Sequence, residues 1–159
     1  MFLNPSLDKT DMQILKILQE NGRITNLQLS NEVGLSPAPT LERVKKLENS
    51  GIIKGYHADV NSTQVGVGIM SIMLVTLARQ KDNAIQNFKK HIVKLPEVTE
   101  CYQVTGDYDY LLKTMTPDIA GFEKLISEKL SKIEEIGTMK TMVILSEVKN
   151  TKVLPVEYK

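Results

Sequence analysis

Three basic side chains, Arg43, Lys45 and Lys46, lie close together in a stretch with helical spacing. They fall largely outside the apolar stripe of that helix, so they are expected to face outward, where basic groups can bind DNA phosphates and bases. Acidic and basic residues balance across residues 1–61, so net charge does not predict a nucleic-acid partner. By itself, this stretch leaves two alternatives open: a DNA-binding helix and an ordinary helix hairpin.

A second polar group, Gly106-Asp107-Tyr108-Asp109-Tyr110, lies in the C-terminal half of the chain. A glycine-led turn can present backbone N–H groups to a carboxylate, and a carboxylate beside the turn can bind an ammonium group. That combination would suit an amino acid. Taken alone, however, the string is more typical of a simple hairpin turn with Gly-Asp at its start.

Residues 25–51, which include the three basic residues named above, are predicted to form a helix-turn-helix. Gly34 stands where a helix ends in a left-handed residue, Ser36 can cap the next helix, and Pro37 suits its first position. A short helix, a tight turn and a longer helix are the elements of this DNA-binding unit, which inserts its second helix into the major groove.

Further elements are expected on both sides of this unit. Asp8 can cap a helix over residues 8–20, which gives three helices before residue 51. Residues 52–60 read as a strand, and residues 61–66 as a hinge. The remainder follows the order strand, helix, strand, strand, helix, strand, which is the ferredoxin-like βαββαβ arrangement. Its strands are expected at 69–78, 98–105, 110–115 and 136–148, and its helices at 82–95 and 118–133.

The strand at 69–78 is apolar on both faces. Met70, Ile72 and Leu74 point one way, whereas odd-numbered residues such as Met73 and Val75 point the other way. Two helices can cover only one face of a four-stranded sheet, so the second face would be an exposed apolar patch. A homodimer through this sheet is therefore expected.

The composition is that of a soluble globular protein, with 42% hydrophobic and 25% charged residues and a net charge of +1. No long apolar run predicts a membrane span, and the N-terminus lacks a signal pattern, which favours a cytoplasmic protein. A single cysteine, Cys101, excludes an intrachain disulfide. Neither His57 nor His91 has partners at metal-ligand spacing, so no metal or cofactor is expected.

Two separated signatures resemble the Lrp/AsnC family of transcription factors. The N-terminal one runs through LDKTDMQILKILQENGRIT and LSNEVGLSPAPTLERVKKLENSGIIKGYHADVN; the second is GDYDYLLK at 106–113, followed by a strand ending SEVK. The resemblance implies an α+β chain with a winged-type helix-turn-helix and a ferredoxin-like domain that dimerises and binds small molecules, usually amino acids. It implies four segments: a DNA-binding domain at 1–51, a linker strand and hinge at 52–66, an effector-binding and oligomerisation domain at 67–149, and a tail at 150–159.

Carried onto this chain, the resemblance implies that Ser36–Asn49 is the recognition helix. Its residues nearest to double-stranded DNA would be Ser36, Ala38, Thr40, Arg43 and Lys46. Arg43 is the best candidate for guanine, because its forked donors match O6 and N7, and Thr40 or Ser36 would bind phosphate.

The same resemblance implies that the Gly106 loop lines an effector site where dimers meet within a tetramer or octamer. The implied site residues are Tyr102, Gln103, Gly106, Asp107, Tyr108, Asp109, Ile119, Thr141 and Met142. Gln103 is polar where leucine-responding members would be expected to be apolar, so the effector, expected to be an amino acid, stays open.

Two other classes of function compete with a DNA-binding regulator. A small dimeric enzyme can have a ferredoxin-like fold, but no histidine lies in the expected C-terminal strands to act as acid or base. An RNA-binding sheet would need clustered aromatic residues on its central strands, and these strands lack them. The sequence therefore favours a regulator and predicts no enzymatic activity.

Overall fold

The structure is a computed structural model that describes residues 7–79 and 82–156. The chain divides into two compact units, Met1–Asp59 with Lys149–Lys159 and Val60–Val148. The C-terminal segment therefore groups with the N-terminal helices, which the sequence did not indicate. Residues 1–6 and 157–159, which form the two ends of the predicted domains, lie outside the described residues. Within the described part of the chain, no helix is long and apolar enough to cross a membrane.

The first unit contains three helices, α1 (Lys9–Glu20), α2 (Asn26–Val33) and α3 (Pro37–Asn49). The Asp8 side chain accepts the N–H of Asp11 at 2.8 Å, which confirms the predicted cap of α1. The three helices meet around one buried apolar cluster because each contributes its apolar face. Its fully or nearly fully buried members are Ile14, Leu29 and Leu47.

The turn between α2 and α3 has the predicted geometry. Gly34 is left-handed, with φ 69°, a conformation that glycine adopts without steric cost. Ser36 precedes α3 and Pro37 occupies its first turn, although the Ser36 side chain makes no capping hydrogen bond. The helix-turn-helix is thus present with the expected bounds.

The predicted strand at 52–60 is wrong for this chain. Residues 54–60 form no helix or strand and are mostly exposed. A strand is defined by a hydrogen-bonded ladder, and no neighbouring segment of the described chain pairs with these residues.

The second unit is a four-stranded antiparallel sheet with the order β2-β3-β1-β4. Its elements follow the predicted βαββαβ order. They are β1 (Ile69–Leu77), α4 (Asp82–Ile92), β2 (Val98–Gln103), β3 (Tyr110–Thr116), α5 (Ile119–Lys124) and β4 (Ile136–Val143).

The helix predicted at 118–133 is not uniform. After α5, the chain continues as a π-helical turn, Leu125–Lys129, and a 3-10 turn, Leu130–Lys132. Such a change in winding alters which side chains face the core, and here it lets both Leu125 and Leu130 be buried. The final strand also ends earlier than predicted, at Val143, where its ladder with β1 stops.

The sheet has one covered face and one open face. Met73 and Val75 of β1 are fully buried against Phe88 of α4 and Leu125 after α5. Even-numbered side chains of β1, including Ile72, are only half-buried on the opposite face. The two-faced apolar character predicted for this strand is therefore confirmed, and the helices cover one face only.

Candidate nucleic-acid interface and effector site

Helix α3 turns one side toward the core of the first unit and the other toward solvent. Leu47 and Thr40 are on the inner side, and Thr40 is 0% exposed. The Thr40 hydroxyl donates at 3.0 Å to the carbonyl of Ser36, the residue that precedes α3. The Thr40 side chain is therefore buried, so the structure gives no support to a phosphate contact by its hydroxyl.

Arg43 is held by two carboxylates of the first helix and its cap. Its Nη1 lies 2.7 Å from Asp8 Oδ2 and 2.7 Å from Asp11 Oδ1. The pKa of the Asp8 carboxyl is lowered, first by the N–H of Asp11 and then by Arg43. The Asp11 side chain is only 4% exposed, so Arg43 neutralises a nearly buried charge. In the structure, Arg43 connects α3 to the start of α1 through these ion pairs, whereas the sequence predicted a contact with guanine.

The outward face of α3 carries the remaining predicted DNA contacts and some that were missed. Ser36, Ala38 and Lys46 are exposed, as an interface requires. Successive side chains of an α-helix are rotated by about 100° around its axis. The side of α3 opposite the buried Thr40 and Leu47 therefore carries further exposed side chains. These are Glu42, Lys45 and Asn49. Lys45 was already expected to face outward, and counting the helical period from the buried residues would have added Glu42 and Asn49 from the sequence.

Asp109, in the loop between β2 and β3, is hydrogen-bonded to the neighbouring strand. Its Oδ2 accepts the N–H of Leu77 at 2.7 Å, and its own N–H donates to the Val75 carbonyl at 2.9 Å. The ladder between β1 and β3 ends at Val75 and Tyr110, so the carboxylate bonds the Leu77 N–H just beyond that end. Asp109 therefore fixes the position of the loop.

The other loop residues differ in exposure. Gly106 has φ 111°, a region that favours glycine, and it is exposed together with Asp107. Tyr108 is half-buried. Tyr110 is buried, and its ring packs against Phe88 with centroids 4.6 Å apart. Among residues 106–110, Gly106 and Asp107 are thus the two that are exposed to solvent.

The predicted effector residues separate into two groups along the sheet. Tyr102 and Gln103 end β2 beside the Gly106 loop, because Gln103 pairs with Tyr110. Thr141 and Met142 lie on the opposite edge strand, β4, because β3 and β1 stand between β2 and β4. Adjacent strands are about 4.8 Å apart, so β2 and β4 are about 14 Å apart across the sheet.

Ile119, the first residue of α5, belongs to the second group and is 72% exposed. The structure therefore brings the loop, Tyr102 and Gln103 together, but it places Ile119, Thr141 and Met142 away from them within one chain.

The Tyr102 side chain takes part in a cluster of polar side chains on the sheet surface. Its hydroxyl donates to Glu100 Oε2 at 2.7 Å, and Lys113 Nζ lies 3.1 Å from Glu100 Oε1. The hydrogen bond to Glu100 raises the pKa of Tyr102. This arrangement keeps the hydroxyl protonated and fixes the ring at the end of the sheet nearest the loop.

The open face of the sheet has an apolar centre, which we call the outer sheet face. The ladder brings its members onto one side, because paired residues in adjacent strands point the same way. They are Met70, Ile72 and Leu74 of β1, Leu111 and Met115 of β3, and Met142 of β4.

Two known families match consecutive parts of the chain. Residues 7–54 match a winged helix-turn-helix DNA-binding family, and residues 70–154 match the Lrp/AsnC ligand binding domain. The leucine-responsive regulatory protein of Haemophilus influenzae is 43% identical over 151 residues, covering 95% of this chain and 91% of that protein. The protein of the same name from Escherichia coli K12 is 41% identical over 145 residues, covering 91% of this chain and 88% of that protein.

Solved structures agree with these matches. A transcriptional regulator from Neisseria meningitidis, solved as a complex with L-Met, is 38% identical. It has a TM-score of 0.90 over 94% of this chain and 97% of that chain. AsnC of E. coli has a TM-score of 0.81 at 29% identity over 99% and 98% of the two chains.

The fold and these matches define a transcriptional regulator with a DNA-binding helix-turn-helix and a domain that binds a small effector. The chain belongs to the Lrp/AsnC family.

Proposed function

We propose that this protein is an amino-acid-responsive transcription factor that binds double-stranded DNA as a homodimer, or as a tetramer or octamer of such dimers. The observation that supports the amino-acid effector most directly is the Neisseria regulator, which was solved with L-Met and resembles this chain over nearly its whole length. An amino acid also suits the chemistry of the Gly106 loop, which offers a backbone turn beside an exposed carboxylate.

The outward face of α3 is the proposed DNA interface. Ser36 and Lys46 contact phosphates in this proposal, and Ala38 lies near base edges. Lys45 supplies a further phosphate contact, and Glu42 and Asn49 can hydrogen-bond base edges in the major groove. Arg43 takes no direct part, because its guanidinium is bound to Asp8 and Asp11.

The effector site is proposed to form from more than one copy of the chain. The Gly106 loop, with Tyr102 and Gln103, supplies one wall. Thr141 and Met142 lie on the opposite edge strand, and Ile119 begins α5, so none of the three joins this wall within one chain and another copy supplies them. Asp107 binds the ammonium group, and Asp109 keeps the loop in place through Leu77.

The alternative of a small ferredoxin-like enzyme receives no support from the relatives. The ones compared above are named as regulatory proteins or transcriptional regulators. In residues 7–79 and 82–156, no three His, Cys, Asp or Glu side chains group in a way that could hold a metal ion.

Binding to a two-fold-symmetric operator tests the DNA part of the proposal. A dimer that carries two recognition helices should need two half-sites about 10 base pairs apart, or a multiple of that spacing. Fluorescence anisotropy on DNA from upstream of the protein's own gene, with each of the twenty amino acids in turn, measures both half-site dependence and effector response. Scrambling one half-site should weaken binding sharply, and equal affinity for the scrambled DNA would contradict the proposal.

Two loop variants test the effector site. Asp109→Ala should lower the free energy of unfolding by about 1–3 kcal/mol, because the Leu77 N–H loses its charged acceptor, and it should abolish the effector response. Asp107→Ala should leave the free energy of unfolding within about 0.5 kcal/mol, since Asp107 is exposed, and should weaken effector binding at least about tenfold.

Urea unfolding and titration calorimetry provide the two measurements for these variants. Wild-type effector affinity in both would show that this loop is only a hairpin turn.

A further inference from the structure

The C-terminal segment, residues 149–156, is held to α1 by one glutamine side chain. The Leu154 N–H donates to Gln19 Oε1 at 2.6 Å, and Gln19 Nε2 donates to the Leu154 carbonyl at 3.4 Å. A primary amide presents one acceptor and donors, so a single side chain satisfies both polar groups of one backbone residue. Pro155 restricts Leu154 to extended conformations, which leaves both groups accessible to such a partner. The contact is thus a specific recognition of an extended segment.

The segment also borders an apolar groove of the first unit, with Leu154 itself 66% exposed. A cavity of about 730 Å³ lies between the segment and the helices. Its walls include Leu15 and Leu18 of α1 and Ile52 after α3, and Leu154 and Val156 line it from the segment. Apolar residues on both sides favour closer docking, because closing this space would remove hydrocarbon surface from water.

The linker residue Tyr56 forms another wall of this groove and connects it to α3. Its hydroxyl donates to Glu48 Oε1 at 3.0 Å. Burial, together with this hydrogen bond and the charge of Glu48, raises the pKa of Tyr56 to about 12. Tyr56 therefore stays protonated and can donate to Glu48 throughout the neutral range.

A continuous series of contacts leads from the segment to the recognition helix. The second unit ends at Val148, and the segment begins at the next residue. The segment binds Gln19 near the C-terminal end of α1, whereas Asp11 near the other end of the same helix binds Arg43 of α3. A rigid helix that is held at both ends can transmit a displacement from one to the other.

We propose that residues 149–156 act as a strap, through which the effector-binding domain changes the position or stability of α1 and so of α3. The strap is a second covalent route between the two domains, in addition to the linker that follows α3. This inference rests on the proposed function, because it concerns how an effector signal reaches DNA. Effector-dependent changes in DNA affinity then require the strap to be docked.

Amide hydrogen exchange at Leu154 in the full-length protein tests docking directly. Gln19→Ala removes the acceptor, so this amide should exchange about tenfold faster than in the wild type. Gln19→Glu keeps an acceptor for the Leu154 N–H and should retain most of the protection. Gln13→Ala is the matched control, because Gln13 is an exposed glutamine on the same helix. Equal exchange in the wild type and Gln19→Ala would overturn docking.

DNA binding by the same variants tests the signalling role. Gln19→Ala should keep the effector-free DNA affinity within about twofold, but reduce the effector-induced change in affinity at least about fivefold. A wild-type response in Gln19→Ala with lost Leu154 protection would overturn the strap and leave the proposed function intact. A wild-type protein that ignores all twenty amino acids would instead overturn the proposed function together with the signalling role, and exchange would still report docking.

Discussion

Ile72→Asp is expected to convert the proposed dimer into monomers. Ile72 lies at the centre of the outer sheet face, between Lys113 on β3 and Met142 on β4. In the proposed dimer, two copies bury this face against each other, so each would contribute a carboxylate to the contact. The cation nearest to it, Lys113, already pairs with Glu100. The new charge is therefore buried without a cation of its own, which costs several kcal/mol. We expect the dimer to dissociate at least about 100-fold more readily.

Sedimentation velocity at micromolar concentration measures this change. Ser127→Asp is the matched control, because Ser127 is exposed in the π-helical turn on the other face of the sheet. The control should sediment as the wild type does, and circular dichroism should show an unchanged fold for both variants. Identical sedimentation of Ile72→Asp and the wild type would contradict assembly through this face.

Arg43→Ala is expected to destabilise the DNA-binding unit and to weaken binding to all DNA sequences together. The substitution leaves the nearly buried Asp11 carboxylate without its cation, which should lower the free energy of unfolding by about 1–3 kcal/mol. It also removes the ion pairs between Arg43 of α3 and the start of α1, so the apolar cluster then holds the outward face in position without them. Adding Asp11→Asn to Arg43→Ala should recover part of the lost stability, since both partners are then uncharged.

Lys45→Ala is the control for a direct DNA contact. Lys45 is exposed on the outward face, so its removal should leave the free energy of unfolding unchanged and reduce the salt dependence of DNA binding. Urea unfolding and anisotropy over a series of salt concentrations separate the two cases. If Arg43→Ala kept full stability and relaxed the preference at a single base pair, Arg43 would be a base-reading residue after all.

Local patterns in the sequence were sufficient to predict the elements and their order. The cap at Asp8 and the left-handed Gly34 depend on residues within one helical turn, and both were correct. The segment at 52–60 was predicted as a strand from its composition, but a strand requires a partner that composition does not show. The change of winding after α5 depends on how Leu125 and Leu130 pack into the core, so the 3.6-residue period alone missed it.

The sequence by itself determined the family, the three-helix unit, the βαββαβ order and the two-faced apolar strand, because each depends on periodicity or on signatures within short stretches. Only the tertiary structure decided what the polar side chains do. Arg43 binds Asp8 across a separation of 35 residues in the sequence, and Asp109 binds Leu77 across 32 residues. Gln19 binds Leu154 across 135 residues. A charged or amide group bonds to whichever complementary group the folded chain brings within about 3 Å, and residue spacing along the sequence does not encode that choice.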